Sequence, residues 1–348
     1  MNPELNREYP ELDDPDVFEQ MVKLTVGQME TIDGRLRRSQ HAKATGCVTA
    51  QFRIDDSVPA ELRHGVFREP GRVFSAIVRF SNSQSKFEKD SKGTGRGLAI
   101  KLLDVLGPRA VPDDGDATQD FLMIDHPVFP FPDPKAYLET ISKKSIPLVG
   151  DLFALAHLAL LEHKELKIVT AIKSKTVASP LGIQYWSGTP FWLGPATGPG
   201  GHAVKYSAVS RQPDRVPPAR SDDPPDDALT QALNARLLSA EALFDFTVQR
   251  QTDAVAMPVE DVSVEWHEKA EADGRKHSVP EIVATLVIPK QRVDPSSELA
   301  VRCEAMSFNP WHSLAEHRPL GGMNRLRKVV YLASVQKRGG GAASVAAV

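Results

Sequence analysis

The chain has 348 residues, enough to bury a substantial core as one large β domain with helical additions or as two average domains. Its 42 basic and 45 acidic residues leave a formal charge of -3, which excludes a global electrostatic footprint for nucleic acid or an anionic membrane and leaves small molecules as the expected partners. Two cysteines, Cys47 and Cys303, cannot build a disulfide framework, and neither has a second cysteine nearby for a CxxC metal knuckle, so a reducing, cytoplasmic setting is expected.

The first residues, Met1 to Glu8, lack the apolar segment of a secretory signal, so export by that route is not expected. Residues 1–15 read as an acidic, proline-containing arm. From 16 to 33, Val17, Met21, Leu24, Gln28 and Ile32 recur at three-to-four spacing, which predicts an amphipathic helix. Strand patterns follow at 48–54 and 74–80, where apolar and polar residues alternate, and at 97–103, a denser apolar run. Residues 110–117 are acidic and turn-rich. The longest apolar run, Leu148 to Leu161, is too short to span a bilayer and carries Asp151 and His157, so a buried helix is predicted and no integral membrane segment. Residues 212–227 contain five prolines and five aspartates and mark a long internal connection. Beyond it, Leu229, Leu233 and Leu237 predict a short helix, 244–248 and 282–288 predict strands, and 339–348 a flexible tail. Helical ends around a β-rich middle suit an antiparallel sheet or barrel.

Several motifs lack the partners their chemistry needs. The stretch Gly194 to Gly201 is glycine-rich without the following Lys and Ser/Thr that would hold phosphate and magnesium, and it reads as a hairpin loop. His157 and His163 are six apart, which does not place two imidazoles on one helical face. No GxSxG elbow anchors a hydrolase reading.

Two distant segments carry more chemistry: Arg38-Ser39-Gln40-His41, and Arg327-Lys328-Val329-Val330-Tyr331. Taken alone, an Arg and a Tyr four apart are an ordinary solvent-facing helix pair, and a single His is usually structural. Together with His41 to Gly46, Val78-Arg79-Phe80-Ser81, Arg96 to Lys101, Asp125-His126-Pro127-Val128-Phe129, Asp133-Pro134 and His317 to Tyr331, they form an ordered series. In that order the chain resembles the haem catalase superfamily, and its C-terminal stretch is similar to the small catalase-related branch that includes allene oxide synthase domains. The resemblance covers roughly residues 15–338.

The resemblance implies an α+β fold, with a catalase-like antiparallel β-barrel, surrounding helices, and haem b buried between the barrel and the C-terminal helix. It implies a single haem domain over 16–338. Tyr331 would be the proximal ligand of ferric iron, a hard anionic phenolate held ionised by the metal and by Arg327 one helical turn earlier. His41 would be the distal acid/base, oriented by the Ser81 hydroxyl. Arg38, Arg79 and Arg338 would bind the two propionates, since a guanidinium fork matches a carboxylate. Phe129 would line the distal cavity and Phe80 would pack against the macrocycle.

The chain departs from that pattern in ungapped register. The amide that helps true catalases bind peroxide falls at Ile124, with Asp125 beside it, and Gln40 replaces a small apolar residue. An aliphatic side chain cannot donate the hydrogen bond that positions hydrogen peroxide. The resulting expectation is a haem-dependent oxidoreductase acting on hydrogen peroxide or organic hydroperoxides, a catalase-related peroxidase. Alternatives are a fatty-acid hydroperoxide isomerase or dehydratase of allene oxide synthase type, and a noncatalytic haem- or lipid-binding barrel. The N-terminal arm offers a contact to a second subunit, so a homo-oligomer is possible.

Overall fold

The computed structural model describes residues 3–32, 34–84, 86–112, 117–144, 163–212, 226–267 and 278–339. The elements named below are those found among these residues. The expected helix within 148–161 lies outside them, as do half of 110–117 and most of 212–227 and 339–348.

Eleven strands run β1 (Thr31–Ile32), β2 (Arg35–Leu36), β3 (Ala44–Ile54), β4 (Val73–Asn82), β5 (Arg96–Leu102), β6 (Gln119–Ile124), β7 (Tyr185–Trp186), β8 (Phe191–Leu193), β9 (His202–Ser210), β10 (Ala242–Arg250) and β11 (Glu281–Ile288). The order β10-β11-β3-β4-β5-β6-β7-β9 closes through a β9–β10 pairing, giving an eight-stranded antiparallel barrel with β8 added beside β9. Closure removes the exposed strand edges that an open sheet of this size would carry.

Alternation decides what each strand shows to each face. Val48, Ala50, Phe52 and Ile54 of β3, with Phe74, Ala76, Val78 and Phe80 of β4, point into the main core together with Leu98, Ile100 and Leu102 of β5. An aromatic cluster of Phe52, Phe67, Phe121, Tyr206 and Phe246 fills the interior, with the His317 ring edge-on to Phe67 at 5.0 Å. His317 is wholly buried; its Nε2 accepts the Val66 N–H at 3.0 Å and its Nδ1 lies 3.0 Å from the Tyr206 hydroxyl. The intervening residues Cys47, Ile77, Arg79, Ser81 and Gly97 therefore belong to the outer face, on which the helices pack.

Helices α1 (Pro15–Gly27), α2 (Pro134–Lys144), α3 (His163–Lys173), α4 (Ala228–Ser239), α5 (Glu298–Ala305) and α6 (Gly322–Lys337) accompany the barrel. Val17 and Met21 of α1, Leu138 of α2, and Met323 and Leu326 of α6 share one apolar cluster. The N-terminal arm is pinned to α6 by Arg325, whose guanidinium meets Glu8 at 2.7 Å, Asp13 at 2.6 Å and Glu260 at 3.2 Å.

The α+β class and the barrel stand as expected, and so do the three early strands, the 229–237 helix, the 244–248 and 282–288 strands and the 194–201 hairpin loop. Helix α1 ends at Gly27, short of the predicted 33, because β-branched Thr31 and Ile32 pair instead with Leu36 and Arg35. The expectation of unpaired cysteines is corrected: Cys47 and Cys303 are bonded to each other across 256 residues, since α5 packs against β3 in a way no spacing in the chain displays. No helix of the described residues is long and apolar enough to cross a membrane.

Candidate functional site

The site assembles on the outer face of β4 and β5. His41 precedes β3 in the left-handed region, at φ 54°, a conformation that costs a non-glycine residue energy and is held here by its surroundings. Its backbone N–H donates to Ser83 O at 3.4 Å, and its carbonyl accepts from Arg79 Nη2 at 2.9 Å. The ring is fixed by Ser81, whose Oγ lies 3.0 Å from His41 Nδ1, and it rests on Gly97. A Cβ on Gly97 would stand 2.5 Å from Nδ1 and 2.8 Å from Ser81 Oγ, so only glycine leaves the imidazole its place. With Nδ1 engaged by Ser81, Nε2 is the ring nitrogen left for other chemistry. Burial lowers the His41 pKa to about 3, helped by Arg79, Arg327 and Arg38, so the imidazole is neutral through the physiological range.

Gly97 is paired with Ser81 on one side and Ile124 on the other. Residues directly opposite in antiparallel strands share a face about 5 Å apart, so Ile124 flanks the imidazole from the side opposite Ser81. Gly188 closes this corner: a Cβ placed on it would stand 3.8 Å from Ile124 Cδ1 and 3.9 Å from the Phe129 backbone nitrogen. Phe129 packs with the apolar cluster that includes Leu326 and Val330 of α6, and its ring is edge-on to Tyr137 at 5.3 Å.

Beside His41, three arginines converge on one carboxylate and a fourth binds the backbone of the same residue. Glu304 of α5 accepts from Arg37 Nη1 at 3.2 Å, Arg38 Nη1 at 3.1 Å, and Arg79 Nε and Nη2 at 3.1 and 3.0 Å. Arg38 also donates to the carbonyls of Cys303 and Met306, at 3.2 and 2.7 Å, and Arg338 donates to the Glu304 carbonyl at 3.0 Å. Burial pushes the Glu304 carboxyl up, and Arg79, Arg38 and Arg37 more than reverse it, leaving it down at about 2. One carboxylate does not balance four guanidiniums. Burial and the neighbouring Arg79 hold Arg38 well below the usual arginine range, while Arg37 Nε and Arg338 Nε are buried without a hydrogen-bond partner.

Helix α6 carries the other half. Tyr331 and Arg327 are one turn apart, with the guanidinium 5.4 Å from the ring centroid. Arg327 is held by Thr189 Oγ1 at 3.1 Å and Asn324 Oδ1 at 3.0 Å. Arg338 follows Tyr331 by seven residues, two helical turns, which brings it back to the same side of the helix axis. Arg327 is among the cations that lower the His41 pKa, which ties α6 electrostatically to the site. Tyr137 belongs to the same neighbourhood: burial raises its hydroxyl to about 12, and the nearby Tyr331 adds to the rise.

Arg38, His41, Arg79, Ser81 and Arg338 are thus brought together, with Arg327 and Tyr331 on the facing helix and Phe129 beside it. Phe80 is not. Alternation turns its ring into the barrel, 6.3 Å from Tyr185, on the face opposite its neighbours Arg79 and Ser81, so it cannot pack against a ligand held by them. Glu304, Gly97, Thr189 and Asn324 were missed. Asn324 had a signal, three residues before Arg327 on a helix; Glu304 had none, because its partners are more than two hundred residues away along the chain.

No protein-family model and no curated protein matches the chain. Solved structures do. Catalase A from Saccharomyces cerevisiae superposes with a TM-score of 0.69 at 16% identity, covering 98% of this chain and 68% of that one. A fungal catalase gives 0.67 at 16% identity, over 97% of this chain and 66% of that one, and a bacterial catalase gives 0.63 at 16%, over 94% and 60%. The chain has the catalase fold. It spans about two thirds of the length of these catalases, and the shared fold agrees with the superfamily that the ordered motifs resemble.

Proposed function

We propose that the chain is a haem-dependent oxidoreductase acting on peroxides. The observation that carries this reading is the surplus of buried guanidinium on one carboxylate, with Arg37 Nε and Arg338 Nε unpartnered. Haem b fits that surplus. Its two propionates would be taken by Arg38, Arg79 and Arg338, and Tyr331, with the Arg327 cation beside its ring, would supply a phenolate to ferric iron. Held there, ferric haem would supply the oxidising chemistry that a peroxide drives.

The chain's own residues provide the proton chemistry. Neutral His41 takes the hydroperoxide proton at Nε2, while Ser81 keeps Nδ1 engaged, and it returns that proton to the oxygen that leaves. Arg79 fixes the backbone on which the imidazole stands by binding its carbonyl. Ile124 on the other side of Gly97 offers no hydrogen bond, which favours organic hydroperoxides over hydrogen peroxide as substrates. The same feature suits a hydroperoxide isomerase of allene oxide synthase type, which turns over without an electron donor.

Reconstitution with hemin tests the reading. A Soret band is expected, abolished or strongly shifted in Tyr331→Phe, with peroxide turnover lost but haem retained in His41→Ala. Absence of any Soret band after hemin addition would reject it. Consumption of a fatty-acid hydroperoxide without a reductant, against oxygen evolution from hydrogen peroxide, separates isomerase from catalase chemistry.

A further inference from the structure

We propose that Cys47 and Cys303 form a redox site, at which a peroxide closes a dithiol into a disulfide, and that the closed bond holds the arginine cluster in its carboxylate-binding arrangement. The inference rests on the haem reading only for the ligand of the cluster and for the peroxide that serves as oxidant.

Apart from the His41 carbonyl that Arg79 binds, the anchors of the cluster come from Cys303–Met306. The Glu304 side chain binds Arg37, Arg38 and Arg79, the Cys303 and Met306 carbonyls bind Arg38, and the Glu304 carbonyl binds Arg338. That segment belongs to α5, a helix of 8 residues. A helix so short has little stability of its own and depends on what it packs against. Its apolar side meets Ile77 and Leu103 through Cys303, Met306 and Phe308, and its covalent tie to the barrel is Cys47–Cys303. Cys47 stands directly opposite Arg79 in the β3–β4 register. The bond therefore joins the strand position beside the most deeply buried of these arginines to the residue that precedes its carboxylate partner.

The same placement suits the chemistry. Cys47, 7% exposed, is the more accessible of the pair, Cys303 being 1% exposed, so its thiolate is the one a hydroperoxide meets first. Attack of that thiolate on a hydroperoxide ROOH breaks the O–O bond and yields a sulfenic acid with release of ROH. The Cys303 thiol then displaces water to form the S–S bond. Two electrons and two protons leave the thiols, and the peroxide is reduced to ROH and water.

The test uses full-length protein loaded with hemin, oxidised or fully reduced with a phosphine, the thiol state read by mass after alkylation. Haem transfer to excess apomyoglobin should be at least tenfold faster from the reduced form. Cys47→Ser and Cys303→Ser should release haem fast in either state, and reoxidising the reduced wild type with hydrogen peroxide before haem loading should restore slow release. Rates within twofold after complete reduction overturn the proposal. Global loss of the far-UV circular dichroism on reduction also overturns it, making the bond a staple rather than a control. If hemin binds in neither state, the haem reading fails instead, and amide hydrogen exchange over 298–306 decides: faster exchange on reduction supports the redox site, and unchanged exchange refutes it.

Discussion

Glu304→Gln preserves the shape of the side chain that gathers the arginines and removes its charge. The carboxyl is depressed from 4.5 to about 2 in the folded chain, and at about 1.36 kcal/mol per unit this makes ionised Glu304 worth roughly 3 kcal/mol at neutral pH. Stripping one partner from a buried ion pair costs about 3–5 kcal/mol by a separate route, so the two agree near 3. Because the folded pKa is the lower one, the contribution is complete above about pH 4.5 and is lost as pH falls toward 2. Urea unfolding of the haem-free variant at pH 7 should show an unchanged m-value and a midpoint lower by about 1 M, taking m near 3 kcal/mol/M. Hemin should then raise the midpoint of the variant by more than it raises that of the wild type, since propionates would replace the missing charge among Arg37, Arg38 and Arg79. A loss below about 1 kcal/mol would refute the reasoning, because it would mean that Arg37, Arg38 and Arg79 do not depend on their one carboxylate.

Acid should destabilise the fold through its buried imidazoles. Burial lowers His317 from 6.5 to about 3, so its contribution is intact above pH 6.5 and falls as pH drops toward 3, by about 2 kcal/mol at pH 5. His41 has the same window, and His317→Gln should remove about half of the joint slope in urea midpoints measured from pH 5 to 8; an unchanged slope would contradict it. Gly97→Ala should displace the His41 ring and cut peroxide turnover by about a hundredfold, the lower range for a lost general base, while leaving the Soret band in place; wild-type turnover would refute the contact. Ile124→Asn should raise oxygen evolution from hydrogen peroxide relative to fatty-acid hydroperoxide consumption, by supplying a donor beside His41; an unaltered ratio would remove Ile124 from the distal wall.

What was legible in the sequence follows the range of the forces involved. The alternation of 74–80 and the Arg-x-x-x-Tyr turn are local patterns, and both appear in place as β4 and α6. Strand β6 was hard to read because it opens on Gln119 and Asp120, polar residues that are nonetheless wholly buried, whereas β9 was missed despite its alternation of Val204, Tyr206 and Ala208 with Lys205 and Ser207. Glu304 and the cysteine bond escaped because their partners come from β3, β4 and the segment before them, brought near only where α5 packs on the outer face of the barrel. Phe80 was misread for a different reason: adjacency in sequence to Arg79 and Ser81 suggests a shared site, whereas a strand sends neighbours to opposite faces.

The same alternation explains why this barrel can carry a site on its outside at all. β4 places Val78 and Phe80 in the core and Arg79 and Ser81 outward. In one stretch it therefore supplies a cation for the cluster, a clamp on the His41 carbonyl and the hydroxyl that fixes the His41 ring. A slip of one residue would bury Arg79 in the interior beside Tyr185, where Phe80 now packs, and expose Phe80, a change no sheet with a packed interior would tolerate. Pairing then extends the row, from Ser81 through Gly97 to Ile124, with the side chain missing at the one position where the imidazole lies. The barrel register thus fixes three things together: the orientation of His41, its distance from the arginines that keep it neutral, and the apolar residue on its far side. Substrate preference is therefore expected to change with the residue at 124, while carboxylate binding changes with the attachment of α5, because these lie on different strand rows of the same face.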